Sequence, residues 1–225
     1  LSTTFSNNVL DATKLFELIL TEQSDVDGLP ESALAMAAQS FNQKQSERVA
    51  ESGEDPEAAN EATPGSGPWR FTLDGPSFPP FMQHCRRSEL REQLYRAFIT
   101  RASDGDFNNE QNINRILSLR QEKSELLGFN NFAEISLARK MAPSVAAVEE
   151  MFETLRSASW DAAAADIEEI RERAKSEGEA EELKHWDVAF WAERLREKKF
   201  DYTDEELRPY FPLERALAGM FDLVE

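Results

Sequence analysis

The sequence predicts a mainly α-helical protein with one small two-stranded β hairpin, about 16–21 with 69–74. Three observations predict it. Apolar side chains recur at three- and four-residue spacing along most of the chain, the signature of one helix face turned inward. Ser, Thr, Asn and Asp stand where helices would start, with Gly or Pro just past their ends. One stretch, Trp69-Arg70-Phe71-Thr72-Leu73-Asp74, instead alternates apolar and polar residues and is rich in β-formers.

Phe5, Val9, Ala12 and Phe16 share a face and place a helix over 3–16. Residues 16–21 read either as its continuation or as a strand that pairs with 69–74. Asp27-Gly28-Leu29-Pro30 is a turn, and Pro30 suits the first position of a helix through Leu34 and Met36 to about Phe41, where its missing N–H is not needed. Residues 43–67 hold almost no large apolar side chains and close on Pro64-Gly65-Ser66-Gly67-Pro68. Such a segment buries too little to offset its ordering entropy, so it reads as a disordered insertion. After the strand, Gly75-Pro76 and Pro79-Pro80 break the backbone before a short helix at 81–85. Ser88 caps a helix to Thr100, with Leu90, Leu94, Ala97 and Phe98 inward. Another spans 109–127 with Ile113, Ile116, Leu117 and Leu119 inward, and Gly128 terminates it. Asn131 and Glu134 have the spacing of a capping box. Ser144 opens a long helix over 145–175, with 157–160 as the place for a kink. Asp187 caps the next, and Phe190, Trp191 and Leu195 lie on its face. Thr203 and Glu206 repeat the capping box, and a last helix covers 213–224. The divisions that follow are 1–42 (N-terminal helices and first strand), 43–68 (insertion) and 69–225 (helical lobe).

Composition excludes more than it specifies. A net charge of -18, from 43 acids against 25 bases, repels nucleic acid and anionic lipid. No run of about eighteen apolar residues exists to span a bilayer. One cysteine forms no internal disulfide framework. The chain opens on Leu1 without the features of a signal peptide, and 220–225 stop in mid-pattern, from which we expect a segment cut from something longer.

Reactive groups are few: two histidines, His84 and His185, and Cys85. A zinc site needs about four ligands, so His84-Cys85 reads as a partly packed helix-end pair. His185-Trp186-Asp187 sets an imidazole beside a carboxylate, but adjacent residues rarely meet as base and orienter, and a helix start is the simpler reading. The acidic run 161–182 lacks the Gly-centred loop of a calcium site and reads as a solvated face. Arg86, Arg87, Arg91, Arg96 and Arg101 form a basic cluster, diluted by Glu89, Glu92 and Asp104, that reads as local salt bridging rather than an anion site. Trp69, Trp160, Trp186 and Trp191 read as core anchors. No residue is named as catalytic, cofactor-binding or metal-ligating.

Five segments in order carry a resemblance. They are 4–13 (Thr-Phe-Ser-Asn-Asn-Val-Leu-Asp-Ala-Thr), 28–34 (Gly-Leu-Pro-Glu-Ser-Ala-Leu), 94–103 (Leu-Tyr-Arg-Ala-Phe-Ile-Thr-Arg-Ala-Ser), 126–134 (Leu-Leu-Gly-Phe-Asn-Asn-Phe-Ala-Glu) and 205–212 (Glu-Glu-Leu-Arg-Pro-Tyr-Phe-Pro). Together the chain resembles the N-terminal and middle part of the thimet oligopeptidase and oligopeptidase A family of zinc metallopeptidases, especially its plant and bacterial branch. The resemblance implies one multi-helical lobe of a bilobed shell around a channel that admits short peptides. It implies zinc, in the full-length parent, held by an H-E-x-x-H helix and a downstream glutamate, with the motif glutamate activating the metal-bound water. None of these ligands maps onto this sequence: His84 precedes Cys85 and His185 precedes Trp186. The expectation is therefore a channel-wall fragment of a metalloendopeptidase, inactive alone, whose partners are short peptides and the catalytic lobe of the same polypeptide. A monomer is expected, in the cytoplasm, or in chloroplast or mitochondrion if a transit peptide precedes Leu1. The alternatives are a non-catalytic binding or scaffold protein of the same descent and an unrelated acidic helical adaptor. Pairing of 69–74 with 18–21 separates the last from the family reading.

Overall fold

The computed structural model describes residues 1–52, 61–178 and 182–224. Their elements are α1 (Ser2–Leu15), β1 (Leu18–Leu20), α2 (Glu31–Ser52), β2 (Trp69–Phe71), α3 (Phe78–His84), α4 (Ser88–Ile99), α5 (Glu110–Leu126), α6 (Phe132–Leu137), α7 (Val145–Ser176), α8 (His185–Phe200), α9 (Asp204–Leu207) and α10 (Leu213–Val224). The mainly helical class holds, and β1 pairs antiparallel with β2 in the register Leu18↔Phe71, Ile19↔Arg70, Leu20↔Trp69. The chain divides into two compact units: 1–16 with 97–169, and 17–96 with 170–225.

The unit containing the sheet holds most of the apolar core. Alternation along both strands sends Leu18, Leu20, Trp69 and Phe71 to one buried face. Helix α2 packs against β2. Its buried Ala33, Ala37 and Ala38 carry no bulk, which lets the helix approach closely. Phe71 meets Phe81 of α3 edge-on at 4.7 Å. A second cluster joins Ala174 at the end of α7 to Phe190 and Trp191 of α8, with Ile170 and Leu183 against it. Gly28 has a positive φ of 87°, and a Cβ there would stand 2.4 Å from the His84 carbonyl oxygen, so the 27–30 turn can lie against the end of α3 only with glycine.

Helix α2 runs longer than expected, into the stretch read as an insertion at 43–68. It continues through Ser52 rather than stopping near Phe41. Gln, Lys, Glu, Arg and Ala are good helix formers, and extending an existing helix adds one hydrogen bond per residue without requiring burial. Arg48 and Arg70 both grip Glu17, at 2.7 and 2.8 Å, and tie the extension to the sheet. The hydrogen bond from Arg70 is the chief reason the Glu17 carboxyl is held below its usual range. Residues 61–68 are ordered too: Asn42 exchanges two hydrogen bonds with the Ala62 backbone, at 2.9 and 2.8 Å, and the Trp69 indole N–H donates to the Pro64 carbonyl. The rest of that expected insertion, 53–60, lies outside the described residues.

The other unit is held largely by polar contacts. Asn109, 2% exposed, donates to the Phe5 carbonyl of α1 and accepts from Asn8 and Asn112. Thr13 is buried and accepts from Arg101, whose guanidinium lies 3.7 Å from the Phe98 ring centroid. Among the described residues of this unit, Ala102 is the one hydrophobic residue that is buried. The inward face expected on α5 is corrected accordingly: Ile113, Leu117 and Leu119 are exposed. Helix α7 runs unbroken for 32 residues, about 48 Å at 1.5 Å per residue, through the place where a kink was expected. Trp160 on it is 63% exposed and is no core anchor, unlike Trp69 and Trp191 at 1% and 6%.

Helix ends follow the predicted chemistry in part. The Ser144 hydroxyl accepts from Ala147 N–H, and Thr203 with Glu206 forms a complete capping box. Asn131 caps Glu134 N–H, but the Glu134 carboxylate reaches Asn130 instead of Asn131. Helix α3 starts at Phe78, three residues early, because Pro79 and Pro80 fit a first turn that needs no donors.

Replacing Trp69 with Ala should cost about 3–5 kcal/mol in urea unfolding. Trp160→Ala should change stability by no more than about 0.5 kcal/mol. Equal effects would contradict this division of the tryptophans.

Candidate functional site

The residues with chemistry gather where the end of α3, the start of α4 and α8 meet, all within the sheet-containing unit. Arg91 of α4 is fully buried. Its guanidinium donates to Asp187 at 2.6 Å, to the Cys85 carbonyl at 2.5 Å and to the Trp186 carbonyl at 3.2 Å, and it lies 4.3 Å from the Phe190 ring centroid. The same Asp187 oxygen accepts from the Ser88 hydroxyl at 2.7 Å, and Ser88 in turn accepts from the Trp186 indole N–H at 3.2 Å. Two cap assignments are thereby corrected. Ser88 is the first residue of α4 and turns its hydroxyl to Asp187. Asp187 is inside α8, whose N-cap is Lys184, and a buried cation holds its carboxylate inward. A buried Arg sets a stronger demand for a carboxylate than exposed backbone N–H groups do.

His84 ends α3 and is half-buried. Its Nδ1 faces an Arg194 guanidinium nitrogen at 2.9 Å, and Arg194 also bonds Glu197 at 2.8 Å. Burial, and next the Arg194 charge, push the His84 imidazole below its usual value. Cys85 is fully buried, and burial pushes its thiol up to about 11, so it holds its proton and is no nucleophile. His185 is exposed at the start of α8, with Nδ1 3.0 Å from the Tyr95 hydroxyl. Tyr95 and Trp186 rings stand 6.0 Å apart, and Arg96 lies over Trp186 at 5.1 Å.

The basic cluster resolves largely into local pairs, as its spacing predicts. Arg86 pairs with Asp27, Arg87 with Asp25, Arg91 with Asp187 and Arg96 with Glu92. Arg101 serves the Phe98 carbonyl and Thr13. The Arg91–Asp187 pair itself was missed. Its signal was available: Arg91 shares the inward face of α4 with Leu94 and Phe98, at i+3 and i+7.

Chemically, this arrangement fixes helices. Ser88 touches Asp187 directly with no imidazole between them, so the serine lacks a general base. The two imidazoles engage different partners, Arg194 and Tyr95. Among the described residues no group of three or more His, Cys, Asp or Glu could hold a metal ion. H-E-x-x-H is absent from the sequence. The residues present do not fit a zinc centre.

Arg91→Met should destabilise by about 3–5 kcal/mol, because it strands Asp187 in the interior. A loss below about 1 kcal/mol would show that the pair is dispensable. His84 gives a pH dependence with a definite sign. Its folded-state pKa lies below the ordinary 6.5, so the unfolded chain binds the proton more readily. Stability should fall as pH drops below about 6.5, and His84→Gln should flatten that limb in unfolding midpoints compared between about pH 7.5 and about pH 5. Parallel pH profiles for both proteins would refute the assignment.

Residues 81–225 match the sequence profile of peptidase family M3. Over the whole chain, 49% of residues are identical to organellar oligopeptidase A, chloroplastic/mitochondrial, of Arabidopsis thaliana, aligned over 227 residues and 27% of that protein. The probable cytosolic oligopeptidase A of the same plant is 48% identical, with 30% of its length covered. Oligopeptidase A of Escherichia coli is 36% identical over 226 residues, which span 98% of this chain and 30% of that protein. The chain spans less than a third of the length of these curated relatives, which include organellar and cytosolic proteins. None of the helices in the described residues is long and apolar enough to cross a membrane. With 145 of its 225 residues (81–225) inside the family profile, and identity to oligopeptidases A along its full length, the chain belongs to peptidase family M3.

Proposed function

We propose that this chain is the N-terminal and middle part of a zinc-dependent oligopeptidase that hydrolyses short peptides, cleaved targeting peptides among them, inside a helical channel. These residues would form channel wall and substrate gate, in the cytosol or in an organelle, and would not cleave peptide by themselves. Zinc and the water-activating glutamate would come from polypeptide outside them. The observation that carries this reading is identity of 49% to an oligopeptidase A along the entire chain, in a sequence without H-E-x-x-H. The α3–α4–α8 cluster is in keeping with it, since Arg91, Asp187 and Ser88 there hold helices together. The net charge of -18 supports a peptide substrate over nucleic acid.

A peptidase assay on the 225-residue chain tests the proposal. Fluorogenic peptides should remain uncut with and without added Zn²⁺. Cleavage that a chelator abolishes would place an active site within these residues and overturn the reading.

A further inference from the structure

We infer that the contact between His84 and Arg194 is an acid-sensitive latch: protonation of the imidazole releases the end of α3 from α8 and opens the packing over Cys85. His84 is the last residue of α3, and Arg194 lies on α8, which packs against α3 within the same unit. Arg194 Nη2 stands 2.9 Å from Nδ1 of the ring. A guanidinium has donors and no acceptor, so Arg194 donates and Nδ1 carries no proton. A protonated imidazole carries N–H on both nitrogens. The contact would then set donor against donor and cation against cation, at a half-buried position where screening is weak.

The carboxylates that face His84 already have partners. On and beyond α8 they are Glu193, Glu197 and Asp204. Glu197 holds Arg194 itself at 2.8 Å, and Arg196 holds Glu193 and Asp204 at 2.6 and 2.9 Å. Ahead of α2, Asp25 pairs with Arg87 and Asp27 with Arg86. From α4, Arg91 takes the Cys85 carbonyl. The acids lower the cost of a proton on His84 without relieving the clash at Nδ1. Arg194 adds to the imbalance, because its Nε is buried without a hydrogen-bond partner, and the guanidinium gains by reaching water once His84 is lost. His185 is the contrast. Its Nδ1 meets the Tyr95 hydroxyl, which can donate or accept, so that contact survives protonation. Cys85 follows His84 directly and is fully buried, with Sγ 3.6 Å from the Asp25 carbonyl oxygen. Its thiol therefore reports when the end of α3 lifts.

The test measures how fast dithiodipyridine, which reacts with thiols even in mild acid, modifies Cys85 in the 225-residue chain, relative to a short unstructured cysteine peptide at the same pH. That ratio removes the titration of the thiol itself. It should rise about three- to tenfold from about pH 7.5 to about pH 5.5, since one linked proton changes an equilibrium by at most about tenfold per pH unit. His84→Gln keeps an acceptor for Arg194 and does not titrate, so its ratio should stay flat. Arg194→Gln removes the opposing charge and should flatten the ratio as well. His185→Gln should rise as the unmodified chain does. Far-UV circular dichroism should be the same at both pH values, as local opening requires. A flat ratio in the unmodified chain, or an equal rise in His84→Gln, overturns the latch. A rise that survives Arg194→Gln, or is lost in His185→Gln, overturns it too. Loss of helix in the acid sample means that the whole unit unfolds, which also contradicts a latch. Should Arg194→Gln fail to fold, the comparison with His84→Gln decides.

Discussion

A buried guanidinium organises the sheet-containing unit. Arg91 is fully buried, and an unpaired charge in that position would cost several kcal/mol. Its satisfaction requires three acceptors from separate places: the Asp187 carboxylate, the Cys85 carbonyl at the end of α3, and the Trp186 carbonyl in the first turn of α8. Those bonds are directional, so they fix the rotation of α8 as well as its distance. From that register follow the contacts of His84 with Arg194 and of His185 with Tyr95. The histidines and the cysteine, the few reactive groups of the sequence, are therefore parts of a joint.

The two units hold together by different physics. Around the sheet, Trp69, Phe71, Phe81 and Leu94 bury fully or nearly so, and apolar burial supplies the main driving force. In the other unit the buried groups are largely polar, with Asn109 at the hub of bonds to Phe5, Asn8 and Asn112. The apolar residues of α5 and the middle of α7 face solvent. An acidic chain tolerates its charge by pairing it, across sequence in Glu17 with Arg48 and Arg70, and locally in Glu193 with Arg196. Exposed pairs of this kind contribute little individually. Their effect is to prevent like charges from opposing the fold.

Much of the secondary structure was legible because it is encoded locally. The limits of α10, the capping box at Thr203 and the glycine after α5 each follow from a few neighbouring residues. What escaped was whatever depends on distant partners. Residues 43–52 lack bulk but have high helix propensity, and Glu17 supplies Arg48 with a partner far away in sequence. Ser88 and Asp187 look like caps until buried Arg91 claims the aspartate, which in turn accepts from the serine. Trp160, Ile113 and Leu117 look like core until no neighbour covers them. Sequence gives the apolar face of a helix but not what lies opposite it. At the candidate site the scarcity of ligands was legible, and the arginine at its centre was not.

These residues pack as helices, and among those described no cluster of His, Cys, Asp or Glu could hold a metal ion. Calorimetric titration of the 225-residue chain with Zn²⁺ tests that most directly. It should give no saturable site tighter than about 10 μM, a weak surface association of about 7 kcal/mol at most. One tightly bound zinc per chain, lost when His84 or His185 is replaced by Ala, would contradict it.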